Sequence, residues 1–472
     1  MRCAELGLIF CSFVVDVVSH RLAEDTLEVV GTSLIQRSLS LQKAHPWIGK
    51  NGDVLRQGST VAVAATHLRK GAAWNWTAPL RGLVRASPVI DAEGSIYLSS
   101  INGVIYKFNQ HGKELWQTNT GRGLPGNPVL YENSLFAVQD DCTFLALDPS
   151  NGKERWRAKG GDVFGPDTPS IIAEGARVFT ACCDASEESN IGGATYVVAM
   201  DASNGQKLWT MRPENKVYNF LASVVDDSLL FADLAGGVYR LATSDGKVIW
   251  SHSAPEHASL GTGGLTTAPN GIAYVTTNTK DPSIGASRGV LSAYFITDGK
   301  LLWQKSLPLS ANSGAAIGQK SPNTYFVTVA LGPNPALPLP FPPKAFLDIE
   351  PLSPSTKDGL KPGKAMTFDA GSGEVLWSFD FPDWHGVAAG DSVDHLCLPD
   401  SFANPSIGGD GSVYIAGESG VIYRLKDSNG DGKIDPDEVD SFDTKNAFQG
   451  APALSDGIVA AAPCNGLFVF LE

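Results

Sequence analysis

A glycine followed four residues later by tryptophan occurs six times in this chain: Gly112 and Trp116, Gly152 and Trp156, Gly205 and Trp209, Gly246 and Trp250, Gly299 and Trp303, Gly373 and Trp377. The stretches read NQHGKELW, DPSNGKERW, DASNGQKLW, ATSDGKVIW, FITDGKLLW and FDAGSGEVLW. Successive tryptophans lie 40, 53, 41, 53 and 74 residues apart. A period near 40 with variable insertions marks a repeat architecture. Runs such as GSIYLSS and GVIYKF alternate as half-buried strands do. The Asn-Gly or Asp-Gly pair that follows supplies the positive φ of a hairpin turn. The next strand then presents its indole at a fixed place, suited to packing between neighbouring sheets. One such unit cannot bury its own faces, but a radial stack of units can. The fold class expected is therefore all-β, a β-propeller.

Six blades carry the glycine–tryptophan unit. A seventh begins at Asn404 with NPSIGGDGSVYIAGESGVIYRL, and an eighth at Ala451 with APALSDGIVAAAPCNGLFVFLE. The eighth holds three strands' worth of sequence and no tryptophan strand. GAAWNWTAP, from Gly71 to Pro79, is expected to supply the missing strand and so close the ring. Closure removes an exposed sheet edge. The count is eight blades over 71–472, with seven as the alternative. The 50 glycines and 29 prolines fit the frequent tight turns of such a fold.

The unit A-x-D-x-x-N-G-x-x-x-W, clearest from Ala199 to Trp209, resembles the tryptophan-docking repeat of pyrroloquinoline-quinone-like propellers. The resemblance covers 71–472 and implies one of two functions. One branch of the family holds quinoprotein dehydrogenases, which oxidise alcohols or sugars with a quinone and a calcium ion in the central channel. The other holds non-catalytic scaffolds similar to the lipoprotein component of bacterial outer-membrane assembly machines. Fold alone does not choose between them. Some quinoprotein dehydrogenases carry a vicinal cysteine disulfide beside the cofactor. Cys182 and Cys183, followed by Asp184, resemble it, but the surrounding EESNIGG departs from that pattern.

In the seventh unit the docking turn is replaced by DSNGDGKIDPDE, from Asp427 to Glu438. Oxygen donors stand at the positions of an EF-hand-type calcium loop: Asp427, Asn429, Asp431, the Lys433 carbonyl, Asp435 and Glu438. Gly432 occupies the sharp turn and Ile434 the apolar anchor. An acidic turn is the alternative reading. VDSFDTKNAFQG after it has no long amphipathic period. The expected role is thus a calcium staple on a blade hairpin and not a sensor helix pair. His385, Asp391, Asp394, His395 and Cys397 lie between the sixth and seventh units and are read as surface loop residues, with a cap over one channel end as the alternative. Their spacing matches no standard metal motif.

The remaining features set the boundaries. A net charge of −14 without a Lys/Arg stripe excludes nucleic acid as partner. The apolar run Leu6–Val15 suits a signal-peptide core and is too short to span a bilayer. Residues 1–20 are read as a leader, with a secreted, endomembrane or periplasm-like location and a cytoplasmic alternative. Residues 21–70 are read as poorly ordered or short helical sequence outside the propeller. Residues 331–365 form a proline-rich insertion with an extended path. Asn75 lies in a glycosylation sequon within the closing strand, where modification is not expected. The reading is a monomeric, calcium-binding propeller that acts as a protein-interaction scaffold. The alternative is a quinone-dependent dehydrogenase.

Overall fold

The tryptophan-bearing units fold into antiparallel sheets of four or more strands, and eight sheets form among the described residues. The computed structural model describes residues 45–79, 83–164, 170–184, 193–254, 258–281, 286–334, 360–392, 395–397 and 399–472. Blade 1 runs Val89–Ile90, Ile96–Ser99, Val104–Phe108 and Glu114–Asn119 from the channel outward. Blades 2 to 7 repeat this order, and blade 3 gains a fifth strand, Val163–Phe164, beside Arg177–Cys183. Among the described residues there is no α-helix, and the helical turns are the 3₁₀ segments Leu68–Lys70 and Pro436–Glu438.

Blade 8 closes the ring as expected. Trp74–Thr77 pairs antiparallel with Gly466–Leu471, Trp74 opposite Val469 and Thr77 opposite Gly466. The N-terminal strand thus supplies the outer strand of the C-terminal blade. Asn75 is exposed on this strand, so the inward orientation that argued against its modification is not observed.

The apolar core lies in layers between blades. Val89, Tyr97 and Ile105 of blade 1 pack on Leu135, Ala137 and Leu145 of blade 2, and Phe179 and Val197 of blade 3 pack on Leu229 and Phe231 of blade 4. Five of the six docking tryptophans cover the rim of one layer and donate Nε1–H to a carbonyl of the next blade. Trp116 donates to Pro149 (3.1 Å), Trp156 to Ala202 (3.1 Å), Trp209 to Thr243 (2.9 Å), Trp250 to Ile296 (2.9 Å) and Trp303 to Ala370 (3.1 Å). Trp74 of the closing strand does the same to Gln110 of blade 1 (2.7 Å).

Two disulfides tie neighbouring elements together, Cys142–Cys182 between blades 2 and 3 and Cys397–Cys464 between the blade 6–7 connection and blade 8. Adjacent strand residues point to opposite faces of a sheet. Cys182 accordingly faces blade 2, while the Cys183 thiol faces the other way and donates to Gly193 O (3.4 Å). The vicinal Cys182–Cys183 pair is therefore not a disulfide. Most of the proline-rich insertion, 335–359, lies outside the described residues. So do residues 1–44, which include the leader and the first part of 21–70.

The rest of 21–70 differs from expectation. Residues 45–70 belong to the same compact unit as the propeller. Trp47, Arg56 and Leu68 are all completely or almost completely buried. Asn51-Gly52 and Gly58 break any helical period here, and the only helical turn is Leu68–Lys70.

Candidate functional site: the filled channel, the cap and the acidic loop

Residues 45–60 reach the innermost strand of every blade. Trp47 exchanges backbone hydrogen bonds with Ile90 of blade 1 (2.9 Å each), and Ile48 O accepts from Leu130 N of blade 2 (2.8 Å). Val54 O accepts from Val224 N of blade 4 (2.8 Å), Leu55 O from Thr267 N of blade 5 (3.0 Å) and Gln57 O from Ile317 N of blade 6 (2.6 Å). Gly58 O accepts from Ile407 N of blade 7 (2.7 Å), and His45 O from Ser455 Oγ of blade 8 (2.7 Å). Blade 3 is met by a side chain: Arg56 Nη2 donates to Ile171 O (2.6 Å). A segment that touches all eight inner strands lies across the central channel. Gly58, at φ +67°, is pressed so close that a Cβ would stand 2.9 Å from Ala316 Cβ and 3.0 Å from Pro405 O.

The Arg56 guanidinium is at the centre of this plug. Nε donates to Ala222 O (3.1 Å) and Nη1 to Lys50 O. Burial lowers its pKa to about 10, partly offset by Asp53. Burial also pushes the Asp53 carboxyl up, against hydrogen bonds from Gln57. Asn51 ties the plug to the far side, accepting from Asn404 Nδ2 (2.8 Å).

The connection between blades 6 and 7 covers Glu418. Glu418 N donates to Ser401 O (2.9 Å), and its carbonyl accepts from Ala389 N (2.8 Å). The side chain is buried, with no hydrogen-bond partner for Oε2 among the described residues. Burial pushes its pKa up to about 8, against the nearby Lys361 ammonium. Lys361 Nζ donates to Gly386 O (3.1 Å). Of the residues singled out between the sixth and seventh units, His385 ends the outer strand of blade 6, Asp391 accepts from Cys397 N (2.8 Å) and His395 pairs with Ser392. Asp394 lies outside the described residues. Cys397 is disulfide-bonded to Cys464 and so offers no thiolate to a metal.

The six expected calcium ligands lie in one loop after the third strand of blade 7, Val421–Leu425. Asp427 accepts from Gly430 N (2.8 Å) and Gly432 N (3.1 Å). Asn429 accepts from Asp431 N (2.9 Å), and Asp431 from Lys433 N (2.9 Å). Glu438 reaches back across the loop to Ser428 N (2.6 Å), Asn429 N (3.1 Å) and Asp435 N (3.0 Å). The Asp435 N–H comes first among the contacts that hold its carboxyl below the ordinary range. Among the described residues no group of three or more His, Cys, Asp or Glu side chains is gathered as a metal cage. The side chains of Asp427, Asn429, Asp431 and Glu438 are turned onto backbone N–H groups instead. The donor set is nevertheless all oxygen, four carboxylates, one amide and the Lys433 carbonyl, which is the chemistry of a hard cation. Lys433 pairs with Ser378 on the outer strand of blade 6. Ile434 packs on the cluster that contains Trp377. The loop therefore stands where the other blades place a docking turn. The plug residues were missed in the sequence because their partners are backbone groups.

A family model described as outer membrane protein assembly factor BamB matches residues 58–182 and 173–332. Among curated proteins the chain is 24% identical to quinohemoprotein alcohol dehydrogenase ADH IIB of Pseudomonas putida, over 39% of this chain and 20% of that protein. It is also 24% identical to outer membrane protein assembly factor BamB of Kangiella koreensis, over 36% of this chain and 42% of that protein. The chain thus spans a fifth and about two fifths of the length of these relatives. Among solved structures, BamB of Moraxella catarrhalis superposes with a TM-score of 0.56 at 14% identity, covering 85% of this chain and 97% of that one. Quinohemoprotein alcohol dehydrogenase of Comamonas testosteroni superposes with a TM-score of 0.60 at 12% identity, covering 90% and 80%. These structural likenesses establish the fold alone. The family match spans more than half of the chain, and with the eight docked blades it identifies the protein as a member of the pyrroloquinoline-quinone-like repeat family described as outer membrane protein assembly factor BamB.

Proposed function

We propose that this propeller is an interaction scaffold that works outside the cytoplasm, with a calcium-loaded loop fastening blade 6 to blade 7. The observation that carries the scaffold reading is the plug. The resemblance to quinoproteins puts the quinone in the central channel, and here residues 45–60 touch all eight inner strands across it. The similarity to BamB proteins supports the same reading. Two disulfides support an oxidising compartment. In the loop, Asp427, Asn429, Asp431, Lys433, Asp435 and Glu438 would hold calcium. The ion would supply a positive centre for side chains that otherwise rest on backbone N–H groups.

Dye reduction separates this reading from a dehydrogenase. The purified chain is incubated with pyrroloquinoline quinone and calcium, then assayed with primary alcohols and aldose sugars. The expected result is no turnover and no quinone retained on gel filtration. Stoichiometric quinone with alcohol-dependent dye reduction would overturn the scaffold reading.

A further inference from the structure

We infer that the central channel is a peptide-recognition site selective for an arginine-bearing turn, and that residues 45–60 are its ligand in cis. This does not depend on the scaffold reading.

Inner propeller strands are sheet edges with backbone groups directed at the channel, and an added segment can pair with such edges. The plug does this with blades 1, 2, 4, 5, 6 and 7 through its main chain, meets blade 8 through His45 O and the Ser455 hydroxyl, and meets blade 3 through Arg56. Main-chain pairing carries little sequence information, so selectivity rests on side chains. Arg56 contributes most of it. Its three nitrogens donate to Ala222 O, Lys50 O and Ile171 O, carbonyls contributed by blade 4, the plug itself and blade 3. That arc matches the planar fork of a guanidinium, and the ammonium of lysine cannot match it.

Two features separate this site from a filler. A buried charge is a poor stabiliser compared with an apolar side chain of the same volume. Arg56 is nevertheless buried, with carbonyls around it. Its backbone is also in the left-handed region, at φ 57°. A non-glycine residue held there at a cost marks a place where the surroundings dictate the geometry. Thr266 Oγ1 of blade 5 donates to Arg56 O, and the plug's own Asn51 Nδ2 donates to the same carbonyl (3.5 Å), so the turn is held both by the ring and from within.

The test uses the full chain. Arg56→Ala is expected to lower the melting temperature by several degrees. Millimolar methylguanidinium should recover part of the loss, and methylammonium at equal ionic strength should not. Arg56→Ala loosens the tethered segment, so a labelled peptide spanning residues 45–60 should then displace it and bind. It should bind about tenfold more tightly than the same peptide carrying R56K, a difference of about 1.4 kcal/mol. The wild-type chain, already occupied, should bind neither peptide. If Arg56→Ala does not fold, Arg56→Lys keeps length and charge and takes its place in the same peptide comparison. An unchanged melting temperature, equal rescue by the two cations, or equal uptake of the two peptides would overturn the inference.

Discussion

Trp156 of blade 2 lies directly on Gly205 of blade 3. A Cβ on Gly205 would stand 2.7 Å from Trp156 Cε3, and Gly205 already has φ +75°. The glycine and tryptophan that stand four apart in one unit therefore serve different interfaces. Gly205 receives Trp156, while Trp209 goes on to Gly246 of blade 4, where a Cβ would meet its Cε3 at 2.6 Å. The ring is a chain of such dockings, and Trp74 on Gly112 joins its two ends.

Gly205→Ala should therefore destabilise although it removes nothing. The left-handed backbone alone costs an alanine about 1–2 kcal/mol, and the indole must also move. Trp209→Ala should cost about 3 kcal/mol, the lower end for a large aromatic, because Trp209 is only half-buried. Denaturant unfolding followed by circular dichroism measures both. Wild-type midpoints would mean that the docking contacts do not hold the blades.

The closing strand gives a second expectation. Deleting 71–79 removes Trp74 and Trp76, which pack on Phe108 and Tyr106 of blade 1, and bares the edge Gly466–Leu471. It also shortens the link from the plug to blade 8. Aggregation on gel filtration is expected. A monomeric product with the wild-type melting temperature would contradict closure by this strand.

Blade order was legible because its determinants are local. Turn glycine and docking tryptophan repeat in the chain as they repeat in space. Arg56 was not legible, because the carbonyls of Ile171 and Ala222 that hold it lie 115 and 166 residues away and have no side-chain signature. The signal available was negative: Asn51-Gly52 and Gly58 break the helical pattern expected over 21–70. The cysteines could be counted but not paired. Cys142 and Cys182 meet only because blades 2 and 3 are neighbours. In the acidic loop the ligand spacing was readable from Asp427 to Glu438. Its contact with the blade 6 strand through Lys433 and Ser378 was not.

Glu418 predicts a pH dependence with a definite sign. Its carboxyl is pushed from the ordinary 4.5 up to about 8 by burial. Between these values the folded chain holds a proton that the unfolded chain releases. Stability from this group is therefore full below pH 4.5, falls as pH rises towards 8, and changes no further above that. Glu418→Gln should flatten the melting temperature across this window and raise it at pH 8 relative to wild type. Parallel pH profiles for the two proteins would show that Glu418 titrates at the ordinary carboxylate value.

The acidic loop predicts a response to calcium. It receives the blade 6 strand where other blades offer a docking turn, through Lys433 on Ser378 and Ile434 on the Trp377 cluster. Without metal, Glu438 is held by the N–H groups of Ser428, Asn429 and Asp435. Calcium would draw that carboxylate, with Asp427, Asp431 and Asp435, onto one centre and relieve their mutual repulsion. Because the ion binds the folded loop and not the unfolded chain, the melting temperature should rise with calcium concentration. Glu438→Gln loses the bidentate carboxylate but keeps one oxygen for the backbone N–H groups. Its metal-free melting should stay near wild type, while its calcium-dependent rise should largely vanish. Magnesium should act weakly, since it demands six ligands in a tighter shell. Titration calorimetry with melting curves on both proteins measures each effect. Identical calcium responses in wild type and Glu438→Gln, or none in either, would leave DSNGDGKIDPDE as an acidic docking turn without a metal.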